Sequence, residues 1–87
     1  MLYIHFMNFI VYILFSESKN KFYIGFTSNL EDRLIRHNQK SKGFTGSTND
    51  WKIVYTENYE MKELARKREL QIKSWKSRIK ILELLKK

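Results

Sequence analysis

The sequence predicts an α+β fold, with a small, three-stranded, largely antiparallel sheet flanked by helices. Two short runs rich in Tyr, Ile, Phe and Val are separated by a polar turn, and a third such run follows a helical segment. From about Glu60 onward, apolar residues recur at helical spacing. The order of elements is strand, strand, helix, strand, helix, helix. A chain of 87 residues has room for one modest core.

The first two strands are predicted to form a hairpin, with strands over residues 9–15 and 21–26 and a turn over residues 17–20. Across a turn of four residues, Tyr12 pairs with Gly25. Tyr23 is then opposite the residue two positions after Tyr12. Because side chains alternate between faces with a period of two, both phenols emerge on the same side of the sheet in this register.

A helix is expected directly after the second strand. Ser28 is the candidate N-cap, and Glu31 three residues later completes the pattern of a capping box. This helix places Leu34 and His37 on one face. A polar loop over residues 40–50, which contains two of the three glycines, ends it.

The third strand is predicted over residues 51–56, and helical spacing then continues with a break near residues 74–77. The predicted apolar stripe consists of Met61, Leu64, Ala65, Ile72, Trp75, Ile79 and Leu82. Glu69 is expected on the flank of this stripe, where a carboxylate is partly desolvated. Arg68 is nearer the middle, so its side chain must extend to solvent or pair with an acid.

The apolar N-terminus does not have the pattern of a targeting or membrane-spanning segment. No Lys or Arg precedes it, His5 and Asn8 interrupt it, and it is shorter than the roughly 20 residues that a spanning helix needs. We therefore expect residues 1–6 to be an N-terminal extension or the start of the first strand. Residues 7–87 are expected to form the domain, and no membrane partner is predicted.

The charge of the chain indicates a polyanionic partner. There are 17 Lys and Arg residues against 9 Asp and Glu residues, a formal net charge of +8, and nucleic acid is the commonest polyanion for such a domain. The chain has no cysteine, which excludes a disulfide scaffold and disfavours a structural zinc finger. This composition fits a reducing cytoplasm.

An ordered set of motifs runs along the chain. It consists of Ile10-Val11-Tyr12, Tyr23-Ile24-Gly25, Arg33, His37 and Glu69. This set resembles the GIY-YIG nuclease superfamily, specifically its small stand-alone UPF0213-like members and the related N-terminal domain of excinucleases. Ile10 stands where the first motif has glycine. The resemblance extends over about residues 7–80, including the segments at 51–55 and 75–78.

The resemblance implies a metal-dependent endonuclease that hydrolyses phosphodiester bonds in DNA, directed by structure rather than sequence, with a role in repair or recombination. It implies one Mg²⁺ or Mn²⁺ ion held by Glu69, and an Arg33 guanidinium that holds the scissile phosphate. Tyr12 is the first candidate for activating the attacking water. Tyr23 and His37 orient that water or the phosphate.

We expect further contacts to nucleic acid, with DNA favoured over RNA. The expected set is Gly25, Arg33, Arg36, Arg66, Lys73 and Lys76. Each candidate also has a structural interpretation, since strand tyrosines usually pack and Glu69 can pair with Lys73 at i, i+4. Two other classes therefore stay open: a non-catalytic nucleic-acid-binding module, and a protein-interaction domain that uses aromatic residues near Trp51 and Tyr59.

Overall fold

The computed structural model describes residues 8–39 and 48–87 of the chain. The elements are β1 (Phe9–Ser16), β2 (Lys21–Thr27), α1 (Leu30–Asn38), β3 (Trp51–Tyr59), α2 (Lys62–Trp75) and α3 (Arg78–Leu85). This order confirms the predicted α+β class. The predicted extension over residues 1–6 and most of the predicted loop over 40–50 lie outside the described residues. None of the helices in the described part is long and apolar enough to cross a membrane.

The sheet has the strand order β2-β1-β3, and β1 is antiparallel to both neighbours. The predicted hairpin register is confirmed: Tyr12 pairs with Gly25, and Leu14 pairs with Tyr23. The turn has four residues and ends at Asn20, which has a left-handed φ of 53°. The third strand runs to Tyr59, three residues beyond the predicted end, because it stays paired with β1 as far as Phe9.

Alternate residues of β1 face two different clusters of side chains. Val11 and Ile13 pack with Ala65 and Ile72 of α2, and with α3. Tyr12 and its neighbour on the same face, two residues on, pack with Trp51 and with α1. Since successive strand residues point to opposite faces, one central strand supplies both clusters.

The predicted N-cap of α1 is wrong by one residue. Asn29, not Ser28, is the N-cap, and its side-chain oxygen accepts a hydrogen bond from the Asp32 backbone N–H at 3.1 Å. The shift arises because β2 continues to Thr27, whose hydroxyl accepts from the Asn29 N–H at 3.1 Å. Glu31 is therefore in the first turn, where its charge favours the helix dipole.

The predicted break between the last two helices is confirmed. Lys76 adopts a left-handed conformation with φ 49° and ends α2. Ser77 is the N-cap of α3, and its hydroxyl accepts from the Lys80 backbone N–H at 3.3 Å.

The predicted apolar stripe is wrong at two positions at the start of α2 and at two positions in α3. Exposed positions include Met61, Leu64, Ile79 and Leu82. The buried residues of α3 are Ile81 and Leu84 instead. The left-handed residue at the junction starts α3 in a new rotational phase, so the spacing of α2 does not carry over into it. Glu69 is buried along with Ala65 and Ile72, so its carboxylate is more desolvated than the predicted flank position implied.

Arg68 pairs with an acid, the second of its two predicted alternatives. Its Nε and Nη2 donate to the two carboxylate oxygens of Glu57 at 3.0 and 3.1 Å. The hydroxyls of Tyr55 and Tyr59 donate to the same carboxylate. The Arg68 guanidinium also lies 5.5 Å from the centre of the Trp75 ring. This cluster fastens α2 to β3.

Candidate active site

A cleft of about 640 Å³ is bounded by β1, β2, α1 and α2. Six of the predicted site residues line it: Tyr12, Tyr23, Gly25, Arg33, Glu69 and Lys73. The fold therefore brings a phenol pair, a guanidinium and a carboxylate to one concave surface from four different elements. Phe9, Phe26, Thr27, Ser28 and Lys62 complete the lining.

Tyr12 and His37 form a buried pair at the side of this cleft. Tyr12 is 1% exposed, and its hydroxyl lies 2.9 Å from Nε2 of His37. The Tyr23 ring is 4.5 Å from the imidazole between ring centres, so the three rings form one cluster. His37 is held in place because its neighbour Asn38 exchanges two hydrogen bonds with the Trp51 backbone, at 2.8 and 3.0 Å. His37 itself does not line the cleft, so it reaches the cleft through Tyr12.

The surroundings of this pair keep both groups uncharged. Burial, and then the proximity of Tyr23, raise the pKa of Tyr12 far above its usual value. The charge of Arg33 lowers the pKa of Tyr12, but burial outweighs it. The pKa of His37 is lowered by burial and then by the charge of Arg33. At neutral pH a protonated phenol therefore faces a neutral imidazole, whose unprotonated nitrogen can accept a proton.

Gly25 leaves the space that the Tyr12 phenol occupies. A Cβ built on Gly25 would lie 2.6 Å from the Tyr12 hydroxyl oxygen and 3.1 Å from Cε1 of Tyr23. Contacts this short force a shift of the phenol. Sequence reasoning gave Gly25 only a role in nucleic-acid contact, because the direction of the Tyr12 ring cannot be read from the motif.

Glu69 is a largely buried carboxylate that opens onto the cleft. Its side chain is 12% exposed, and its Oε1 accepts a hydrogen bond from Nζ of Lys73 at 2.9 Å. This is the i, i+4 pair that the sequence allowed. In the described part of the chain, no three His, Cys, Asp or Glu side chains are grouped so as to hold a metal ion. A metal in this cleft would thus have Glu69 as its protein ligand, and a carboxylate oxygen in an open cleft suits Mg²⁺, which keeps several waters.

The basic residues predicted to contact nucleic acid are spread over several surfaces. Lys73 lines the cleft, and Lys76 lines a neighbouring groove. Arg36 is on the exposed side of α1, where Nε is 3.1 Å from Oδ2 of Asp32. Arg66 is exposed on α2 and is not part of the cleft lining.

Lys62 is a cleft residue that was not among the predicted site residues. It precedes Glu69 by seven residues on α2, which is two helical turns. This spacing of whole helical turns from Glu69 is the sequence signal that would have identified Lys62.

Comparison with known proteins identifies the family of this fold. The model of the GIY-YIG catalytic domain matches residues 8–81. The chain is also similar to UPF0213 protein BH0048 from Bacillus halodurans, which has a solution NMR structure. The two sequences are 27% identical, and the two structures superpose with a TM-score of 0.59. The match covers 92% of this chain and 84% of that one. No significant match is found among curated proteins. Domains of this family are generally endonucleases that act on nucleic acid. The chain therefore belongs to the GIY-YIG catalytic domain family.

Proposed function

We propose that this protein is a metal-dependent endonuclease that hydrolyses phosphodiester bonds in DNA, directed by the structure of the substrate, in repair or recombination. The observation that carries the proposal is the cleft that collects Tyr12, Arg33 and Glu69 from three separate elements. Packing of the strands and helices alone does not require an acid, a cation and a phenol to lie together on one open surface. A phosphodiester and its attacking water need all three.

Arg33 binds the scissile phosphate. It is exposed and lines the cleft, so its planar guanidinium is available to phosphate oxygens. Negative charge grows on those oxygens as water adds, and a fixed cation stabilises that charge more than it stabilises the bound ground state. Arg33 therefore acts mainly on the rate of cleavage.

Tyr12 and His37 act together on the attacking water. The high pKa of the Tyr12 phenol argues against a phenolate base in the protein as it stands. The 2.9 Å hydrogen bond to His37 offers a different path: Tyr12 takes the proton of the water as its own proton passes to the neutral imidazole. Tyr23, packed against the imidazole ring, holds the pair in position.

Glu69 holds the single Mg²⁺ or Mn²⁺ ion. Such an ion, when bound, supplies stabilisation of the leaving oxygen as a Lewis acid. The Lys73 ammonium occupies the same carboxylate at 2.9 Å and therefore competes with a metal. The lining lysines, Lys62 and Lys73, also draw the polyanionic strand into the cleft.

The setting of the reaction follows from charge and composition. A net charge of +8 without a recognisable base-reading motif supports docking on the phosphate backbone, with affinity that falls steeply as salt rises. The absence of cysteine agrees with the reducing cytoplasm, where we place the protein.

The test is a cleavage screen over single-stranded, duplex, flapped and branched DNA, with RNA counterparts, at fixed salt and with or without Mg²⁺. We expect cleavage of at least one DNA structure with Mg²⁺, none after chelation, and none for Glu69→Gln. Glu63→Gln is the matched control, because Glu63 is on the same helix but exposed in its first turn. Cleavage by Glu69→Gln at the wild-type rate would refute the metal assignment.

A second candidate is a non-catalytic module that binds nucleic acid. The ion pair of Lys73 with Glu69 favours it, because a carboxylate neutralised by an ammonium needs no metal. Tight DNA binding that chelation leaves unchanged, with no cleavage of any substrate in the screen, would select this candidate over the nuclease.

A further inference from the structure

A second groove, of about 480 Å³, lies beside the cleft between β2 and the junction of α2 with α3. Its apolar floor consists of Phe22, Ile24, Ile72 and Ile81. Tyr23 and Lys73 line both the groove and the cleft, so the two surfaces are continuous. The mechanism proposed above uses none of the floor residues.

The charged residues at the rim of this groove are all basic. Lys21, Lys73, Lys76 and Arg78 line it, and no carboxylate does among the described residues. An apolar floor under a cationic rim matches a ligand that has a flat, weakly polar part and an anionic part. A nucleotide has both, as a base and a phosphate, and the volume is within the range of sites for small ligands.

Arg78 is already fixed in place as one wall of the groove. Its Nη1 donates to the Asn20 carbonyl at 3.0 Å, and its Nη2 donates to the Asn20 side-chain oxygen at 2.7 Å. The guanidinium lies 5.1 Å from the centre of the Phe22 ring. Because Arg78 and Phe15 already pack against the Phe22 ring, the flat surface on which an unpaired base can stack is the Arg78 guanidinium, which this ring supports.

We propose that the groove holds an unpaired nucleotide next to the phosphate bound in the cleft, so that the substrate is single-stranded at the cut. This inference rests on the proposed function and names its substrate class. A base within a duplex is paired and stacked and cannot reach an apolar floor, whereas an unpaired base can turn out of the strand. Because Tyr23 and Lys73 belong to both surfaces, one strand can pass from the cleft into the groove without a gap.

The test compares binding of three DNA molecules by the full chain carrying Glu69→Gln, which prevents cleavage. The molecules are a single strand, a blunt duplex of the same sequence and that duplex with a single-stranded tail, measured by fluorescence anisotropy at one salt concentration. We expect the single strand and the tailed duplex to bind about tenfold more tightly than the blunt duplex, the effect of a gained stacking contact.

Two further substitutions examine the groove, and each has a reference. Phe22→Leu keeps an apolar floor without the ring, and Lys76→Asn removes a rim charge with a residue that tolerates the left-handed φ of 49°. Lys80→Asn is the matched control, since Lys80 is on α3 but lines a different surface with Arg68 and Trp75. We expect the first two to reduce the preference for unpaired DNA several-fold, and the control to leave it unchanged. A circular dichroism melt verifies that each variant is folded.

A base-free nucleotide placed at successive positions of the single strand locates the contact. At one position the base-free nucleotide should weaken DNA binding by the protein that retains Phe22. It should have little further effect on binding by the Phe22→Leu variant, because the same stacking is already lost. Equal affinity for single strand and duplex, with no effect of either groove variant, would overturn the inference even if cleavage stands. No binding or cleavage of any DNA would overturn the proposed function as well. An acidic peptide that binds through Lys76 without competition from the single strand would make the groove a protein interface instead.

Discussion

Glu57 and Glu69 are two partly buried carboxylates, each paired with a cation of α2, yet their surroundings differ. Glu57 accepts two hydrogen bonds from Arg68 and one from each of two tyrosines. Glu69 has Lys73 as its one hydrogen-bonding partner among the described residues, and it lines an open cleft. Burial raises the pKa of Glu57, but the hydrogen bonds from Arg68 and the tyrosines outweigh it, and the net pKa is lowered.

The contrast distinguishes a structural acid from one that can exchange partners. Arginine presents a rigid fork that matches a carboxylate at two points, whereas lysine offers a flexible point charge. Four donors leave Glu57 without capacity for a new ligand, so its pairing fixes α2 on the sheet. The single ammonium at Glu69 can be displaced. Similar burial and similar charge thus support opposite roles, and the number of donors separates them.

The strongest test exchanges the two acids for glutamine. Glu69→Gln should lower cleavage by about 10³-fold or more, because the amide loses the charge that holds a hard cation. Glu57→Gln should leave the cleavage rate of the folded protein within a few-fold of wild type. Single-turnover rates at saturating Mg²⁺ measure both. Comparable losses of rate in the two variants would break the distinction.

Arg33→Ala should have the next largest effect. Its guanidinium lines the cleft where we propose that the scissile phosphate binds, so we expect a loss of about 10²–10³-fold in cleavage rate and only a small loss of affinity. Arg36→Ala is the control, since Arg36 is exposed on the same helix and paired with Asp32. Rates and dissociation constants are measured separately on one substrate. Equal losses of affinity and rate would reduce Arg33 to an ordinary phosphate contact.

Gly25→Ala should reduce cleavage by about tenfold or more while the protein still folds. The added methyl would lie 2.6 Å from the Tyr12 oxygen and must push the phenol away from His37. Overpacking of this kind costs roughly 1–3 kcal/mol of folding free energy. Denaturant melts and cleavage assays on the same samples distinguish the two effects. Unchanged activity would mean that the Tyr12–His37 hydrogen bond is dispensable.

Glu57→Gln should lower the free energy of unfolding by about 2 kcal/mol. This cost is smaller than that of breaking a fully buried ion pair, because the side chains of Glu57 and Arg68 are 19% and 23% exposed. The pH dependence has a definite sign. Because the folded pKa of Glu57 is lowered, its stabilisation is present above the unfolded value near 4.5 and is lost as pH falls through the folded value. Urea melts from pH 6 to pH 3 should show a smaller decline for Glu57→Gln than for wild type.

Lys73→Gln should have the smallest effect, and it sharpens the comparison most directly. Removing the ammonium leaves Glu69 without its competitor, so the Mg²⁺ concentration for half-maximal cleavage should fall about two- to fivefold. Affinity for DNA should weaken slightly through the lost cation. A metal titration of cleavage measures the first effect, and Lys67→Gln, exposed on the same helix, serves as control. A higher Mg²⁺ requirement would contradict displacement.

The parts of the fold that depend on local spacing were predictable. A four-residue turn and the period of two fixed the pairing of Tyr12 with Gly25, and the i, i+4 spacing put Arg33 and His37 on neighbouring turns. Features that depend on the residue at which a strand or helix ends could not be predicted. Asn29 caps α1 because β2 runs one residue longer than its alternation indicates, and the phase of α3 is set by the left-handed Lys76.

The candidate site shows the same division. Most of its members could be named from their order along the chain, with Lys62 as an exception, but their environment could not be predicted. Burial of Glu69 depends on the packing angle of α2, and the raised pKa of Tyr12 depends on how completely the sheet and α1 cover it. Neither quantity is encoded by residue spacing.

The central place of β1 has a consequence for hydrogen exchange. Residues 11–14 of this strand are at most 1% exposed, and the strand is bonded to a neighbour along both edges. Since the Tyr12 phenol and the structural core alternate along this one segment, no local opening can release the Tyr12 amide and spare the core. Its deuterium uptake should match the slowest amides of the molecule. The part of the candidate active site that β1 supplies is thus as long-lived as the whole native state.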